Sequence, residues 1–574
     1  MHLAVNCGFE ASRETDCPRA PSTHYPVRVT PEELRATIAR ALEEYSTQTG
    51  TGIEVPAKLV VERPKNRDHG DWATNVALQT AKKAGLAPRD LAQGLAAILT
   101  DVDGIESCEV AGPGFLNITL SAGAAGALAA EIVAAGSDYG RGEALAGHVV
   151  NMEFVSANPT GPLHLGHTRW AALGDAIARV LAFAGAQVTS EYYINDAGSQ
   201  MLVFADSVLA RMKGREVPEG GYPGAYIQDI ADRIAQEQPA LADACEDTIR
   251  EEVLSRAYAI QLQDIKDTLA EFDVHFDVWF SEKTLHDSGA LESSVARLRE
   301  QGHVFDSEGA VWLRTTEFGD DKDRVLIRKD GAPTYFAADA AYYLDKKDRG
   351  FDEKVYLLGA DHHGYVNRLK AIAAAAGDDP EHNIEILIGQ LIKVNGAKLS
   401  KRAGNIIELR DLVQWLGRDA LRYSLARIPA DSPLTLDPEV LRSASNDNPV
   451  HYVQYAHARS RGVDRKAVEA GIDPAGFDAT TLTDETESAL LAALADFPRV
   501  VAQAAELREP HRIARYLESL AGLFHKWYDA CRVTPRADEE IGAVHSSRLV
   551  LNRATAQVLA NGLHLLGVSA PERM

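Results

Sequence analysis

Apolar residues between positions 148 and 395 follow two alternating periods. Short apolar runs predict strands, and apolar residues spaced three and four positions apart predict helices. A mostly helical stretch at 200–300 interrupts this alternation, and strands that alternate with helices are typical of a parallel sheet. The predicted strands are 149–155, 187–194, 333–337, 354–359 and 384–393, with helices 168–184 and 364–376 and a hairpin at 302–331.

The pattern changes on both sides of this region. Before it, helices mixed with short strands predict an α+β domain, and after it amphipathic helices separated by Pro or Asp continue to the end. We therefore predict a multidomain α/β protein with a Rossmann-type parallel-sheet core, a helical insertion in that core and an all-α C-terminal domain. The predicted segments are a disordered extension or misplaced start (1–28), an α+β domain (29–121), a linker (122–147), the core (148–408), a connecting helical segment (409–447) and an all-α domain (448–574).

Composition limits the class of protein. The 59 Lys and Arg residues against 83 Asp and Glu residues give a net charge of −24, which argues against a nonspecific polyanion binder but leaves room for a local basic groove. The five cysteines are scattered without CxxC spacing, which predicts a reducing compartment and no structural zinc. The sequence shows no export signal and no apolar run of membrane-spanning length, so we expect a cytoplasmic protein.

The stretch VVNMEFVSANPTGPLHLGHTRW carries the first candidate chemistry. It opens as a strand, breaks at 158–162 and delivers His164, Gly166 and His167 where a helix begins. Backbone N–H groups are unpaired at such a position and the helix dipole is positive, which favours an anion. The stretch therefore predicts a cradle for a nucleotide triphosphate, although two structural histidines at a helix start are the plainer interpretation.

A second candidate is the basic loop GAKLSKRAGN at 396–405, which follows an apolar strand. Its cations could stabilise the charge that develops when the α-phosphate of a nucleotide is attacked. A solvated basic turn is the alternative, and HLGH on the same predicted sheet favours the functional interpretation.

Together the two motifs resemble the HIGH and KMSKS signatures of class I aminoacyl-tRNA synthetases. The surrounding sequence is similar to the arginyl-tRNA synthetase family over residues 29–574, including the letters DALR at 419–422. Its supporting strings are EFVSANPTGPLHLGH, EYYINDAGSQ, WLRTTEFGDDKDRVL, YFAADAAYYLDK, GADHHGYVNRLKA, KLSKRAGN, GRDALRYSLAR, NPVHYVQYAHAR and APERM.

This resemblance implies ATP-dependent, tRNA-dependent activation of arginine to arginyl-adenylate and its transfer to the cognate tRNA(Arg). Magnesium would arrive with ATP, no protein metal site is expected, and the chain would act as a monomer. His164, His167, Lys398 and Lys401 would be the catalytic residues. The ATP-binding residues would be Pro159, Thr160, Gly161, Leu165, Gly166, His362, His363 and Ser400. Leu399 replaces the more usual Met.

Selecting arginine requires anions, because a planar guanidinium pairs with a carboxylate through two parallel bonds. The resemblance points to Tyr335 and Asp339 for the side chain, with Asn158 and Ser156 near the α-amino and carboxylate groups. Glu153 is a further candidate, and it could instead pair with a neighbouring cation.

The pair His362-His363 invites a metal interpretation, but adjacent histidines rarely point the same way and no second ligand cluster accompanies them. We expect one of them near the ribose or adenine of ATP.

Aromatic and basic residues interleave in the C-terminal helices, a combination that suits unpaired RNA bases and their backbone. The predicted tRNA-binding residues are Tyr452, Tyr455, Arg459, Trp527 and Tyr528. The N-terminal stretch 69–75 resembles the family's tRNA-elbow-binding domain.

Two other hypotheses remain open. A different HxGH nucleotidyltransferase would share the cradle, but it would not need a long helical domain after the lysine loop. A catalytically silent RNA-binding paralogue would be expected to lose HLGH or the loop lysines, and both are intact.

Overall fold

The computed structural model describes residues 31–64, 69–395, 407–536 and 539–574. The predicted extension at 1–28 and the basic loop at 396–405 lie outside the described residues. The chain divides into two compact units between Leu128 and Ala129.

The first unit is an antiparallel four-stranded sheet with helices, as the α+β prediction required. Its strand order is β1-β2-β4-β3, and Trp72 of β2 is buried with the Arg63 guanidinium 3.8 Å from its ring centre. Helix α4 continues across the division into the second unit. The elements are α1 (Pro31–Thr49), β1 (Val61–Glu62), β2 (Trp72–Thr74), α2 (Val76–Thr80), α3 (Pro88–Thr100), β3 (Ile105–Ala111), β4 (Phe115–Leu120) and α4 (Ala122–Ala135).

The second unit combines a parallel sheet with many helices. Its strands are β5 (Val149–Glu153), β6 (Gln187–Ile194), β7 (Val278–Ser281), β8 (Val304–Ser307), β9 (Ala310–Leu313), β10 (Arg324–Ile327), β11 (Glu353–Gly359), β12 (Ile384–Gly389), β13 (Ile392–Val394) and β14 (Leu434–Leu436). Its helices are α5 (Leu165–Phe183), α6 (Ser199–Met212), α7 (Ala225–Glu237), α8 (Pro239–Asp243), α9 (Glu246–Glu271), α10 (Glu282–Asp287), α11 (Ala290–Glu300), α12 (Tyr335–Asp348), α13 (Val366–Ala375), α14 (Leu409–Leu416), α15 (Arg418–Ala426), α16 (Pro438–Arg442), α17 (Pro449–Glu469), α18 (Glu485–Glu506), α19 (His511–Ala530) and α20 (Ala543–Leu565).

The central sheet has five strands in the order β12-β11-β5-β6-β7, and every neighbouring pair is parallel. Numbered along the chain, this order is 5-4-1-2-3, so the direction of winding reverses between β5 and β11. Ligands of open parallel sheets bind at the carboxyl ends of the strands beside such a reversal. The Rossmann-type prediction is confirmed, and the fold places the candidate site beyond the end of β5.

Helix α5 packs against this sheet through close contacts at glycines. A Cβ on Gly174 would lie 2.2 Å from the Phe154 ring, and one on Gly389 would lie 1.9 Å from the Trp170 ring. Because neither glycine has a side chain, the two aromatic rings can lie directly on the backbone. These contacts hold the start of α5 close to the carboxyl edge of the sheet.

Two predicted strands differ from the structure. The strand predicted at 333–337 is wrong, because the Thr334 side chain accepts a hydrogen bond from the Ala337 N–H and caps α12. The strand predicted at 384–393 is divided into β12 and β13, since Gln390 bonds to the Ala430 carbonyl and the chain leaves the sheet there. The predicted hairpin at 302–331 is present, and β10 extends it to three strands.

The C-terminal part is all-α, as predicted. Its helices α17 and α20 are joined inside the bundle by two reciprocal hydrogen bonds, both 3.0 Å long, between Ser460 and Asn552. Such paired buried hydrogen bonds hold two helices in one register. In the described part of the chain, no helix is both long and apolar enough to cross a membrane.

Candidate active site

The chain turns sharply where β5 ends. Val155 and Ser156 have φ angles of 67° and 41°, in the left-handed region that non-glycine residues rarely adopt. The Ser156 hydroxyl donates to Glu153 Oε1 at 3.1 Å and accepts from the Tyr193 N–H at 3.1 Å. These bonds compensate for strain of about 1–3 kcal/mol per residue and hold the turn over the carboxyl end of the sheet.

The segment from Asn158 to Gly161 then crosses to the start of α5. Pro159 and Thr160 are buried, and the Thr160 carbonyl accepts from the Tyr226 hydroxyl at 2.8 Å. The exposed Asn158 amide donates to Gln200 Oε1 at 2.7 Å. A Cβ on Gly161 would lie 3.1 Å from the Tyr226 hydroxyl, so glycine allows the close approach. Pro159 and Thr160 therefore shape the turn, and Asn158 is the side chain open to a ligand.

His164 and His167 cap the first turn of α5 reciprocally. His164 Nδ1 accepts from the Gly166 N–H at 3.1 Å, and His167 Nδ1 accepts from the His164 N–H at 3.3 Å. The two rings lie 3.9 Å apart. Because each Nδ1 is an acceptor, the proton of each neutral ring sits on Nε2, where it can be donated to a phosphate oxygen.

Both histidines are neutral at physiological pH. Burial, reinforced by the neighbouring His164, lowers the pKa of His167 to about 3. Burial also lowers the pKa of His164. The cradle therefore offers neutral N–H donors and a helix N-terminus, rather than two positive charges.

Gly166 gives the cradle its shape. A Cβ at this position would lie 3.0 Å from His164 Cε1 and 3.2 Å from His164 Nδ1, so a side chain would displace the ring. Beside it, the Leu165 N–H donates to the Ile407 carbonyl at 2.9 Å, and the Leu409 N–H donates to the Leu163 carbonyl at 2.8 Å. The chain that follows the basic loop thus runs beside HLGH. Lys398, Ser400 and Lys401 themselves lie outside the described residues.

A group of carboxylates occupies the same edge of the sheet. Burial, with the charges of Glu282 and Glu153, raises the pKa of Asp339 to about 7, and Arg368 opposes the shift. Tyr335, one helical turn before Asp339, is 55% exposed, and its hydroxyl lies 3.6 Å from where a Gly198 Cβ would be. The pocket therefore combines an open tyrosine with clustered acids, an arrangement that suits a cation.

Glu153 is held by partners on both oxygens. Lys346 donates to Oε2 at 2.6 Å, and Ser156 donates to Oε1. Lys346 is fully buried, with its ammonium 4.3 Å from the Tyr342 ring centre and 4.0 Å from the Tyr356 ring centre. In the structure Glu153 therefore pairs with a nearby cation, as the alternative interpretation expected. This cation, Lys346, belongs to the helix α12 and not to a strand.

Glu282 completes the carboxylate group, and the sequence interpretation missed it. It starts α10 directly after β7, is 4% exposed, and has a pKa raised chiefly by burial. Its charge acts on both Asp339 and Tyr193. An acidic residue directly after a strand of the sheet is the signal that could have identified Glu282. That signal was hidden because β7 lies in the stretch 200–300, which the sequence predicts to be mostly helical.

A network of buried hydrogen bonds around Glu191 supports the pocket. Glu191 of β6 accepts two bonds from Arg349, at 2.6 and 2.9 Å, one from the Tyr342 hydroxyl at 2.6 Å and one from the Asn151 amide at 2.8 Å. Although burial opposes it, Arg349 and the nearby Lys346 hold the pKa of Glu191 below its usual value. The network ties α12 to β5 and β6, so it positions Asp339 over the sheet.

His362 and His363 lie in the short 3₁₀ helix 360–365 that follows β11, the strand next to β5. Both are exposed, and the His362 ring contacts Tyr365 edge to face at 5.8 Å. Over the described ranges, no group of three or more His, Cys, Asp or Glu residues is arranged to hold a metal ion. The pair therefore lies at the carboxyl edge of the sheet, at the end of the strand next to β5.

The predicted RNA surface is partly assembled on α17 and α19. The Arg459 guanidinium lies between the Tyr455 and Tyr528 rings, at 4.6 and 4.7 Å, and donates to the Tyr455 hydroxyl at 2.8 Å. The Tyr452 ring lies 5.1 Å from that of His525. We call Tyr452, Tyr455, Arg459 and Tyr528 the aromatic patch.

The prediction is wrong for Trp527, which is completely buried and cannot stack on a base. Its ring packs on Phe524 at 5.8 Å inside the helical core. The helical period contains the reason, because 513, 517, 520, 524 and 527 form a single apolar stripe along α19.

The chain combines a five-stranded parallel sheet, two capping histidines at its switch point and an all-α C-terminal part, and its match to known family models makes it a class I aminoacyl-tRNA synthetase. Family models agree in three parts of the chain. These are the arginyl tRNA synthetase N terminal domain at 32–120, the class I (R) catalytic domain at 131–428 and the DALR anticodon binding domain at 453–574.

Individual relatives specify the family further. The chain is 67% identical to an arginine–tRNA ligase of Micrococcus luteus and to one of Paenarthrobacter aurescens, in each case over 95% of this chain and 100% of the relative. It superposes on the Thermus thermophilus arginyl-tRNA synthetase with a TM-score of 0.71 at 26% identity, covering 95% of this chain and 100% of that one. The chain belongs to the arginyl-tRNA synthetase family. This confirms the resemblance and favours it over both other hypotheses.

Proposed function

We propose that the carboxylate pocket and the histidine cradle hold arginine and ATP against each other while the chain ligates L-arginine to tRNA. The relatives named above are arginine–tRNA ligases, and use of ATP follows from the class I family. The observation that carries the assignment of the site is that both groups of residues converge on one edge of one sheet. This edge lies at the reversal between β5 and β11.

In the first step, an arginine carboxylate oxygen attacks the α-phosphorus of ATP. A new P–O bond forms, the bond to the β-phosphate breaks, and pyrophosphate leaves with its electron pair. The Nε2–H groups of His164 and His167 donate to phosphate oxygens, and Leu165 and Gly166 leave space beside the nucleotide. In the second step, a ribose hydroxyl of the tRNA attacks the arginyl carbonyl and AMP leaves. No covalent bond to the enzyme is formed in either step.

The roles of Lys398, Ser400 and Lys401 rest on the sequence motif. The ammonium groups of Lys398 and Lys401 would stabilise the negative charge that accumulates around the phosphorus during attack, with Ser400 assisting. Support comes from the described chain on either side of the loop, because Ile407 is bonded to Leu165 beside the cradle.

Arginine would be held by its guanidinium between Asp339, Glu282 and Tyr335, with Glu153 paired to Lys346. Asn158 and Ser156, which lie on the turn after β5, would face the α-amino and carboxylate groups. The raised pKa values of Asp339 and Glu282 support this assignment, because a bound guanidinium would stabilise the ionised form of each acid.

Mg²⁺ would enter as MgATP, held by phosphate oxygens and water. The donor set of the described residues fits this, since it offers no cage of three protein ligands near the cradle. His362 and His363 would lie on the ribose or adenine side. We further propose that the enzyme acts as a monomer in the cytoplasm, which sedimentation of the purified protein and cell fractionation would test.

The aromatic patch would receive unpaired bases of the tRNA. The neighbouring residues Tyr528 and Trp527 make a matched test, because the first is 38% exposed and the second is not exposed at all. Tyr528→Ala should weaken tRNA binding by about 1–3 kcal/mol with an unchanged melting temperature. Trp527→Ala should lower the free energy of unfolding by about 3–5 kcal/mol. Equal effects of both substitutions on unfolding would contradict the assignment.

The decisive test is aminoacylation with a panel of amino acids and total tRNA. The expected product is arginyl-tRNA with release of AMP and pyrophosphate, and lysine or citrulline should be charged far more slowly. A purified protein that charged another amino acid in preference to arginine would overturn the proposal.

A further inference from the structure

Arg422 of α15 is a buried guanidinium outside the site described above. It is 0% exposed, and burial lowers its pKa although Asp175 opposes the shift. Its Nη2 donates to the carboxylate of Asp175, which is its ion-pair partner on α5. Asp175 lies 11 residues beyond His164, about three turns along the same helix. The cation therefore contacts the helix whose first turn is the cradle.

The remaining donors of Arg422 go to the carboxyl ends of two other helices. Nη1 donates to the Phe272 and Asp273 carbonyls, at 2.9 and 3.0 Å, where α9 ends. Nε donates to the Leu566 carbonyl at 3.3 Å, where α20 ends. Carbonyls at these positions lack partners within their helix and carry partial negative charge, so a guanidinium satisfies them well.

The end of α20 is shaped for this contact. Gly567 has a φ of +64°, and a Cβ there would lie 1.9 Å from Arg422 Nη2. A glycine is thus needed both for the turn and for the space that the guanidinium fills. One rigid, planar group joins the cradle helix, the insertion and the last helix of the C-terminal domain.

Hydrogen bonds also connect the helix of the aromatic patch to the two helices α15 and α20 that meet at this group. Helix α17, which carries Tyr452, Tyr455 and Arg459, is bonded to α20 through Ser460 and Asn552. It is also tied to α15 through the Gln454 amide, which donates to Asp419 at 2.8 Å. A displacement of α17 by bound RNA therefore reaches Arg422 from both α20 and α15.

We propose that Arg422 is a positioning residue that transmits the seating of tRNA on the helical domain to the HLGH end of α5. This inference rests on the proposed function. The physical reason is that a guanidinium with all its bonds inside the protein cannot release one partner without leaving a buried polar group unpaired. Helix α15 and the three segments that Arg422 contacts therefore move together, and correct seating of the RNA brings the histidines to the position that attack on ATP requires.

The test is Arg422→Lys, which keeps the positive charge but not the planar fork. This substitution leaves the aromatic patch unchanged, so the Kd for tRNA(Arg) should stay within about twofold of the wild-type value. ATP–pyrophosphate exchange is measured with intact tRNA(Arg) and with the same tRNA carrying a replaced anticodon loop. In the variant, kcat with intact tRNA should fall about tenfold, while KM for arginine and ATP is unchanged. The ratio of rates between the two tRNAs should fall towards one.

Two matched control variants alter other ion pairs of the helical C-terminal part. Arg427→Lys alters an ion pair of α15 with Glu518 of α19, and Arg508→Lys alters a tie to Glu353 of β11, but neither contacts α5. Both controls should keep the wild-type ratio between the two tRNAs. If Arg422→Lys does not fold, Asp175→Asn removes the charge on α5 and should give the same loss of ratio.

Equal slowing of Arg422→Lys with both tRNAs would overturn the inference, and so would the same loss of ratio in the two controls. Failure of the wild-type protein to charge arginine would overturn the proposed function instead, which separates the two outcomes.

Discussion

The histidine cradle and the carboxylate pocket lie on the same edge of the same sheet, yet burial shifts their pKa values in opposite directions. In the cradle it lowers the pKa of His167 to about 3 and keeps the ring neutral. In the pocket it raises the pKa of Asp339 to about 7 and favours the protonated acid. In both cases the low-dielectric surroundings disfavour the charged form. Burial thus leaves the cradle neutral and the central acid of the pocket partly protonated near pH 7.

The two regions are also built over different distances along the chain. The cradle is closed by hydrogen bonds between residues two and three positions apart. The pocket collects Glu153 from the end of β5, Glu282 from the end of β7 and Asp339 from α12. A local motif can be seen in the sequence, whereas an assembled pocket depends on the packing of distant elements.

Removing the central acid of the pocket should have the largest effect. Asp339→Ala is expected to lower kcat/KM for arginine about a thousandfold, because a buried guanidinium would lose its charged partner. Steady-state aminoacylation measures this change. Asp348→Asn is the matched control, since Asp348 lies on the same helix and pairs with Arg297 at the surface. A loss that the control shares, or unchanged kinetics, would reject the role of Asp339.

Disturbing the cradle should have the next largest effect, confined to ATP. In Gly166→Ala the new methyl group would meet the His164 ring at 3.0 Å and displace it. We expect kcat/KM for ATP to fall about a hundredfold, as small misplacements of catalytic groups do. Arginine affinity, measured by calorimetry, should not change. Gly142→Ala, whose Cβ meets nothing within 4 Å, should be silent.

The affinity for arginine should depend on pH. With a pKa of about 7, Asp339 is mostly protonated at pH 6 in the free enzyme, and a guanidinium prefers the carboxylate. Binding must then release a proton, so arginine should bind about tenfold more weakly at pH 6 than at pH 8. Calorimetry in buffers of different ionisation enthalpy measures both the affinity and the released proton. A flat profile in the wild type, or an unaltered slope in Asp339→Asn, would contradict this.

The affinity for ATP should show the smallest effect. His167 has a pKa of about 3 and gains no proton between pH 6 and pH 8, and burial lowers the pKa of His164 as well. The Kd of a non-hydrolysable ATP analogue should therefore change less than about twofold over that range. A rise in affinity of tenfold at pH 6 would mean that a histidine becomes charged and would remove the contrast between the two regions.

The helical half illustrates both the strength and the limit of periodicity. Helices α17 to α20 were predicted from amphipathic spacing, and the same spacing assigns Trp527 to the buried stripe. The prediction of Trp527 as a base-stacking residue followed its chemistry and not its position. By contrast, the strand predicted at 333–337 could not be recognised as a helix start without knowing that Thr334 caps α12.

The sequence by itself determined the parallel-sheet class of the core, the all-α C-terminal part, the histidine cradle and the family. Each depends on residues close together in the chain, whose spacing carries the physical information. Tertiary structure alone decided which acids share the carboxylate pocket, that Lys346 pairs with Glu153, and that Arg422 joins four distant segments. Those contacts arise because a parallel sheet brings the carboxyl ends of distant strands to one edge, and burial then sets the charge of each group it encloses.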